Sequence, residues 1–526
     1  MSAGTDRAHV RLAELVAALS LGVDLGFGQP MEHVLRQCLI ALRMAERVGL
    51  DDEQRAVVYY TALLVNVGCH SDAHEQAKWF GDDIALKATK YEHEMRSARG
   101  AAATLRMLGG AGNPPLHRFR VGLEFALTGR REMDGMIAEH AGMARALGEQ
   151  LALPQPVLDA LAAAYEQWDG HGWPGELGGE QVPLAARLAQ LAEFAEVAHR
   201  GGGAEAAKAL ARRRAGRQFD PALAELLADE GDLILSDLDG VGTWEAVIAA
   251  EPALAVVLTG ERFEAALAAV ADFVDLKTPY ALGHARAVAQ LAGAAGTALA
   301  LPDDGVRTLR RAALVHDLGR LGISNAIWDK PGPLGAGEWE RMRLAPYLTE
   351  RMLRSSEALA PLGAIAVQHR ERLDGSGYPH GLAGAAISRP ARILAAADAY
   401  QAMREPRPYR DALSAEAAAA ELRADVRTGR LDGEAAEAVL GAAGHRVRRR
   451  REGPAGLTAR EVEVLRLLAR GLSNREIAQR LTIAPKTVGN HVEHIYAKIG
   501  ASTRARASLF ALQHGLLPEE ELGEAP

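Results

Sequence analysis

Residues 373–398 read LDGSGYPHGLAGAAISRPARILAAAD, and they align without gaps with residues 168–193, WDGHGWPGELGGEQVPLAARLAQLAE. Nine of the 26 aligned positions are identical. Upstream, residues 62–69 (ALLVNVGC) likewise match residues 313–320 (ALVHDLGR). A repeat on this scale predicts two copies of one fold in tandem. The first copy carries about 46 more residues between the two matching blocks.

The composition of the chain predicts an all-α protein. At 526 residues it is long enough for about three to four domains of ordinary size. Hydrophobic residues make up 48% and charged residues 24%, which is typical of globular proteins. Alanine, leucine, glutamate and arginine are abundant, and these residues favour helices over strands.

Cysteine usage and hydropathy indicate a cytoplasmic protein with no membrane partner. Cys38 and Cys69 are too few for a disulfide framework, and we expect both to be buried apolar residues. The first apolar stretch, Leu12–Gly28, is interrupted by Glu14 and Asp24 and is too short to span a membrane. No signal-peptide cleavage site follows it.

Charge is distributed unevenly along the chain. The formal net charge is −8, yet residues 446–512 contain 14 arginines and lysines against 5 glutamates, a difference of +9. The remaining residues therefore carry about −17. A basic module on an acidic body is the pattern expected when one module contacts nucleic acid phosphates.

The basic module reads LTAREVEVLRLLARGLSNREIAQRLTIAPKTVGNHVEHIYAKIG over residues 457–500. Thr458 with Glu461, and Ser473 with Glu476, have the spacing of a capping box, which predicts two helix starts. Pro485 suits the first turn of a third helix. On that helix an apolar stripe lies opposite a polar face; the stripe consists of Val488, Val492, Ile495 and Ile499, and the polar face of Lys486, Asn490, Glu493 and His494.

This stretch closely resembles the LuxR-type helix-turn-helix domain. The resemblance implies a supporting helix at 473–481, a recognition helix at 485–499 and a fourth helix at 502–514. Many relatives have serine before the proline where this chain has Ala484, which costs about 1 kcal/mol of helix stability. The residues expected to contact DNA bases or phosphates are Arg475, Arg480, Lys486, Thr487, Asn490, His491, Glu493, His494, Lys498 and Arg504.

The second copy contains HDLGR (316–320), QHRERLDGSGYP (368–379) and AADAY (396–400). Imidazoles and carboxylates from several helices are suitable ligands for a divalent ion in a helical bundle. These motifs resemble the HD-GYP branch of the HD phosphohydrolases, whose enzymes hydrolyse cyclic di-GMP with two or three metal ions. The resemblance implies metal ligands at His284, His316, Asp317, His369 and Asp398, and ligand-binding residues at Lys330, Arg370, Gly377, Tyr378 and Pro379.

Three departures from the family pattern limit the expected chemistry. Ala345 and Arg370 replace two histidines that bind metal in the family, and Arg320 replaces a lysine. The remaining ligands could hold one divalent ion, namely iron, manganese or magnesium. An arginine binds phosphate but generates no hydroxide, so Arg370 favours binding over turnover. If the domain is active, Asp317 and Arg320 are the expected catalytic residues.

The first copy follows the same template without its chemistry. Val65 and Asn66 replace the HD pair, and Cys69 stands at the lysine position. Ala164 and Tyr165 replace the HH pair, and Glu193 replaces the late aspartate. Scattered histidines of this kind are usually packing or surface residues, here His33, His140, His171 and His199. An interaction or packing role is expected, with a ligand pocket near Trp168 and Trp173 as the alternative.

Together these observations predict tandem HD-type helical bundles followed by a four-helix DNA-binding domain. The expected segments are 1–245, 255–445, a basic linker at 446–456, the LuxR-type domain at 457–517 and an acidic tail at 518–526. The leading interpretation is a homodimeric transcriptional regulator that binds double-stranded DNA and senses a nucleotide or cyclic dinucleotide. Two alternatives remain: a metal-dependent phosphodiesterase tethered to DNA, and a scaffold that binds no small ligand.

Overall fold

A computed structural model describes residues 9–92, 98–110, 113–125, 127, 130–238, 242–252, 255–445, 454–514 and 516. The chain divides into two compact units, Met1–His445 and Arg446–Pro526. The described residues are almost entirely helical, which confirms the all-α prediction. None of the described helices combines the length and the apolar character needed to cross a bilayer. Most of the predicted linker and all of the predicted tail lie outside the described residues.

The first copy is built from helices that surround a core of leucine, alanine and valine. Between the two matching blocks the described residues of this copy form six helices, α4 to α9, where the second copy has three. The helices are α1 (Leu12–Gly26), α2 (His33–Arg47), α3 (Asp52–Leu64), α4 (Ala73–Phe80), α5 (Asp83–Glu92), α6 (Ala98–Met107), α7 (Pro115–Glu124), α8 (Arg130–Gln150), α9 (Gln155–Ala162), α10 (Leu184–Arg214), α11 (Pro221–Ile234) and α12 (Thr243–Ala249).

The second copy repeats this arrangement with shorter connections. Its helices are α13 (Gly260–Asp275), α14 (His284–Ala298), α15 (Asp303–Val315), α16 (Asn325–Trp328), α17 (Ala336–Leu353), α18 (Ala360–Ala366), α19 (Arg389–Arg404), α20 (Ala415–Arg427) and α21 (Gly433–Ala442). Helices α2 and α14 correspond: each has 15 residues and begins with a histidine that follows a residue with positive φ.

The two copies share one continuous apolar core. Two short strands, β1 (Val10–Arg11) and β2 (Val257–Leu258), pair in antiparallel register and join the start of one copy to the start of the other. Gly22 of α1 lies so close to the second copy that a Cβ there would be 2.8 Å from the Leu321 side chain. The copies therefore form one packed body.

A buried ionic cluster also links the copies. Asp83, at the start of α5, accepts hydrogen bonds of 2.8 Å from both the Ser324 hydroxyl and the Asn325 backbone amide. Its other oxygen lies 3.2 Å from Lys87 Nζ and 3.4 Å from Lys277 Nζ. Burial alone would raise the pKa of Asp83, but the two ammonium groups hold it below its usual range. The carboxylate is therefore charged and compensated inside the protein.

We predict that Asp83→Asn lowers the free energy of unfolding by about 3 kcal/mol, because it leaves two buried lysines without a counter-charge. Chemical denaturation at pH 7 measures the effect. The same acid-to-amide change at exposed Glu421 on α20 is the control and should alter stability by less than about 0.5 kcal/mol. Equal effects of the two changes would contradict an electrostatic role for Asp83.

The second compact unit contains α22 (Ala459–Ala469), α23 (Asn474–Leu481), α24 (Pro485–Ile499) and α25 (Arg504–Gln513). Both predicted capping boxes are present, with Thr458 and Ser473 at the N-caps. The stripe on α24 faces the core as predicted: Val488 and Ile495 are fully buried, and the other two members are partly buried. The four-helix prediction is confirmed.

Ala484 is the N-cap of α24 and makes no side-chain cap hydrogen bond. Its backbone is extended (φ −72°, ψ 144°), which is the conformation of a serine N-cap. We predict that Ala484→Ser stabilises α24 by about 1 kcal/mol, measured as slower amide hydrogen exchange in its first turn. Ala497→Ser, an exposed position within the same helix, is the control and should slightly speed exchange, because serine is a weaker helix former.

Candidate functional site

Three helices of the second copy bring a group of metal-type side chains together. His284 is the first residue of α14, His316 follows α15 directly, and Asp398 lies on α19. One ligand atom each from His284, His316 and Asp317 lie within 4.8 Å of one another, and all three residues are buried. Asp398 Oδ1 lies 3.3 Å from His284 Nε2 and 3.7 Å from His316 Nε2. The structure therefore assembles four of the predicted ligands.

Hydrogen-bond partners of the two Nδ1 atoms orient these histidines. His284 Nδ1 lies 2.9 Å from a carboxylate oxygen of Glu405, and His316 Nδ1 lies 2.6 Å from the Ala313 carbonyl. Among the described residues, neither Nε2 atom has a hydrogen-bond partner although both are buried. Converging imidazole nitrogens with a second partner on Nδ1 are typical of metal sites. These residues therefore fit one divalent ion, and Glu405 is a supporting residue that the sequence did not reveal.

Two arginines occupy the rest of this site. Arg370 Nη1 lies 3.2 Å from Asp398 Oδ2, and its Nε donates to His369 Nε2 at 3.0 Å. Arg320, which is 1% exposed, donates to Asp317 Oδ2 at 2.6 Å and stacks 4.3 Å from the centre of the Trp328 ring. Asp398 and Asp317 thus each form an ion pair with a guanidinium.

The arginines shape the local ionisation. Burial would raise the pKa of Asp398, but Arg370 and His284 hold it well below its usual range. Burial and the Arg370 charge lower the pKa of His369 to about 3. His369 also lies 2.7 Å from the Ala366 carbonyl through Nδ1, so both of its ring nitrogens have partners within the protein. Arg370 thus occupies the nitrogen through which a metal would bind, and metal binding by His369 stays a prediction.

A cleft of about 630 Å³ opens beside this cluster. The HD pair contributes Asp317 to its wall, and Ala345 occupies the wall where the family has histidine. Lys330 lies on the same wall, with its ammonium 2.6 Å from Glu338. The basic and aromatic side chains that line the cleft are Arg320, Lys330, Arg370, Arg407, Arg410, Trp328, Trp339, Tyr378 and Tyr409.

The signature loop contributes one side chain to this cleft, that of Tyr378; Gly377 and Pro379 are not among the lining residues. Gly377 is required by packing, since a Cβ there would approach the Glu371 Cα within 2.4 Å. The buried Glu371 carboxylate accepts the backbone amides of His380 and Leu382 at 2.7 and 2.9 Å. The loop is thus held in place by a glutamate that the sequence did not single out.

In the first copy a lysine occupies the equivalent of the metal site. Lys90 Nζ, from α5, lies 2.5 Å from Glu193 Oε1 and 3.1 Å from Asn66 Oδ1. His33 begins α2 as His284 begins α14, and it pairs with Glu196 as His284 pairs with Glu405. From the sequence alone, His33 was interpreted as a packing or surface histidine, and Lys90 was not identified as part of this site. The matching distance of nine residues from Asp24 to His33 and from Asp275 to His284 could have identified the histidine.

The predicted DNA-contacting residues lie mainly on two helices of the second compact unit. Those on α23 and the first turns of α24 are exposed, and His491 is half-buried. Two members make hydrogen bonds within the domain: the exposed Lys498 lies 2.7 Å from Glu461 through Nζ, and the half-buried Arg504 donates to the Leu468 and Leu472 carbonyls at 2.6 Å. The exposed members of the predicted set are Arg475, Arg480, Lys486, Thr487, Asn490, Glu493, His494 and Lys498.

Comparison with known proteins agrees with this organisation. Residues 268–435 match the HD domain family, and residues 455–511 match the bacterial regulatory proteins of the LuxR family. The 3'3'-cGAMP-specific phosphodiesterase 3 of Vibrio cholerae is 30% identical over 420 residues, which cover 79% of this chain and 91% of the relative.

One further relative matches a shorter stretch, and a solved structure matches most of the chain. The 3'3'-cGAMP-specific phosphodiesterase 1 of V. cholerae is 36% identical over 32% of this chain and 40% of its own length. A crystal structure of a cyclic GMP-AMP-specific phosphodiesterase of V. cholerae (V-cGAP3) superposes with a TM-score of 0.58 at 27% identity, and covers 83% of this chain and 98% of that one. The chain therefore belongs to the HD-GYP family of HD-domain proteins, joined here to a LuxR-type regulatory domain.

Proposed function

We propose that this protein is a DNA-binding transcriptional regulator whose second HD-GYP copy binds a cyclic dinucleotide without turning it over. The observation that carries the proposal is the Arg370 guanidinium, which contacts Asp398 and His369 on the wall of the cleft. A permanent cation at this position supplies what a phosphodiester needs for binding. It cannot supply the activated water that hydrolysis needs.

The lining of the second-copy cleft suits a nucleotide. Its arginines provide bidentate donors for phosphate oxygens, and Tyr378, Tyr409, Trp328 and Trp339 provide surfaces on which bases can stack. A volume of about 630 Å³ lies within the range of small-ligand sites. Known relatives act on 3'3'-cGAMP, which makes that class of ligand the first candidate.

We further propose that His284, His316, Asp317 and Asp398 hold one divalent ion of unassigned identity. The buried Nε2 atoms of the two histidines support this assignment. An ion bound there would act as a Lewis acid toward a phosphate oxygen. Arg320 and Arg370 each contact one of the two carboxylates, and so limit the negative charge available to a second ion.

The DNA-binding part of the proposal rests on the LuxR-family match and on the exposed polar face of α24. Lys486, Asn490 and His494 lie on that face, where they can reach base edges or phosphates in a major groove. We propose that two chains bind paired half-sites as a homodimer, which is the usual arrangement for helix-turn-helix proteins.

The second candidate function is a metal-dependent phosphodiesterase. It is favoured by the four-ligand cluster that the second copy retains. A scaffold role for both helical domains would not explain why basic side chains line the cleft. The two candidates differ in one measurable quantity, the production of linear dinucleotide.

We predict that the purified protein binds 3'3'-cGAMP or cyclic di-GMP and releases no linear product in the presence of Mn²⁺, Fe²⁺ or Mg²⁺. Arg370→Ala should weaken binding at least about tenfold, because it removes a charge-assisted contact worth about 1.5 kcal/mol or more. Calorimetry and chromatography measure the two quantities. Arg354→Ala, an exposed arginine at the end of α17, is the matched control. Turnover by the unmodified protein would support the phosphodiesterase instead.

For DNA binding we predict that Lys486→Ala weakens affinity for duplex and lowers the slope of log Kd against log salt by about one. Arg475→Ala should have a similar effect, since both side chains are exposed on the helix-turn-helix face. Arg506→Ala on α25 removes the same charge at an exposed site elsewhere in the unit and should leave the slope unchanged. Loss of affinity in the control alone would place the DNA on the fourth helix.

A further inference from the structure

The first copy contains a second cavity, with a volume of about 510 Å³. Aromatic side chains form much of its wall, among them Phe27, Trp173 and Phe194. His171 also lines it, and the His171 side chain is 76% exposed, so the cavity reaches the protein surface. Trp168, the other tryptophan considered for a pocket in this copy, is not among the lining residues.

Cys69 lies on the wall of this cavity, at the position that Arg320 occupies in the second copy. Its Sγ is 2.7 Å from the Tyr165 hydroxyl, and the His140 ring of α8, whose centre lies 6.0 Å from that of the Tyr165 ring, lines the same cavity. His140 Nε2 in turn lies 2.6 Å from Asp72 Oδ2. A thiol, an imidazole and a carboxylate in this order form the arrangement that activates a nucleophilic cysteine.

The surrounding charges favour the thiolate. The titratable groups that face Cys69 are His140 from α8, Lys90 and Tyr91 from α5, and Tyr165 from the loop after α9. Burial would raise the pKa of the Cys69 thiol, but His140 and Lys90 bring it below its ordinary value. Burial would lower the pKa of His140, yet Cys69 and Asp72 raise it to about 9. The two groups therefore favour each other's charged form: His140 lowers the pKa of the thiol, and Cys69 raises the pKa of the imidazole.

Cys38 is a contrasting cysteine in the same chain. It is fully buried, its Sγ contacts only the Tyr59 carbonyl at 3.7 Å among the hydrogen bonds of the described residues, and it lines neither cavity described above. Burial raises its pKa far above the ordinary value of a thiol. The two cysteines thus differ in surroundings while sharing one chain, which makes Cys38 an internal control.

We propose that Cys69 is a nucleophilic cysteine, activated by His140 and Asp72, and that the first-copy cavity admits small electrophiles to it. With an alkyl halide, the sulfur attacks the carbon, a sulfur–carbon bond forms, and the carbon–halogen bond breaks as halide leaves. The proton of the thiol stays on His140. The first copy thereby has a chemistry of its own, separate from nucleotide binding by the second copy.

The test is alkylation of the full-length protein by iodoacetamide, followed by peptide mass analysis. At pH 7 Cys69 should react at least about tenfold faster than glutathione, because His140 and Lys90 favour its thiolate. Cys38 should remain unmodified until the protein is denatured. Cys69 that also remains unmodified until denaturation would overturn the proposal.

The pH profile of the reaction separates activation from mere exposure. His140→Gln, in a Cys38→Ala background, should move the midpoint of the alkylation rate upward by at least about one pH unit. Asp72→Asn should move it in the same direction by less, and it serves as the second variant if His140→Gln fails to fold. An unchanged midpoint in a folded variant would overturn the proposed activation.

Discussion

The ion pair between Arg370 and Asp398 determines the chemistry that remains available to the second copy. Asp398 lies fully buried on α19, where α14 and α15 bring two histidines against it. A buried carboxylate that loses its partner destabilises a protein by several kcal/mol. An arginine in place of a histidine ligand therefore stabilises the charge with no ion bound, and its guanidinium also lines the cleft in which we propose that phosphate binds.

In the first copy a lysine, rather than an arginine, contacts the corresponding carboxylate. Lys90 lies between Glu193 and Asn66, the counterparts of Asp398 and Asp317. The supporting framework is the same in both copies. Glu166 accepts backbone amides of its loop, including that of Glu176 at 2.8 Å, in the way that Glu371 does in the second copy. The backbone scaffold is thus retained in both copies, and in each a side-chain cation contacts the late carboxylate, Lys90 at Glu193 and Arg370 at Asp398.

Much of this organisation follows from local sequence signals. The repeated blocks, the capping boxes and the apolar stripe of α24 depend on nearby residues, and the structure has them where the sequence predicts. Contacts between residues that lie far apart in the sequence were not predictable. Lys90 comes from the extra segment of the first copy, which has no counterpart in the second. Arg504 is more than thirty positions away in the sequence from the Leu468 and Leu472 carbonyls to which it donates in the folded domain. Only its charge is evident from the sequence, and that charge predicted a phosphate contact.

The count of bound ions tests most directly the claim that Arg370 has replaced part of a metal centre. Elemental analysis of the purified protein, after equilibration with Mn²⁺ and removal of free ions, gives this number for the second copy. We expect no more than one ion per chain, rising to two when Ala345→His and Arg370→His are combined. Two ions per chain in the unmodified protein would contradict the account.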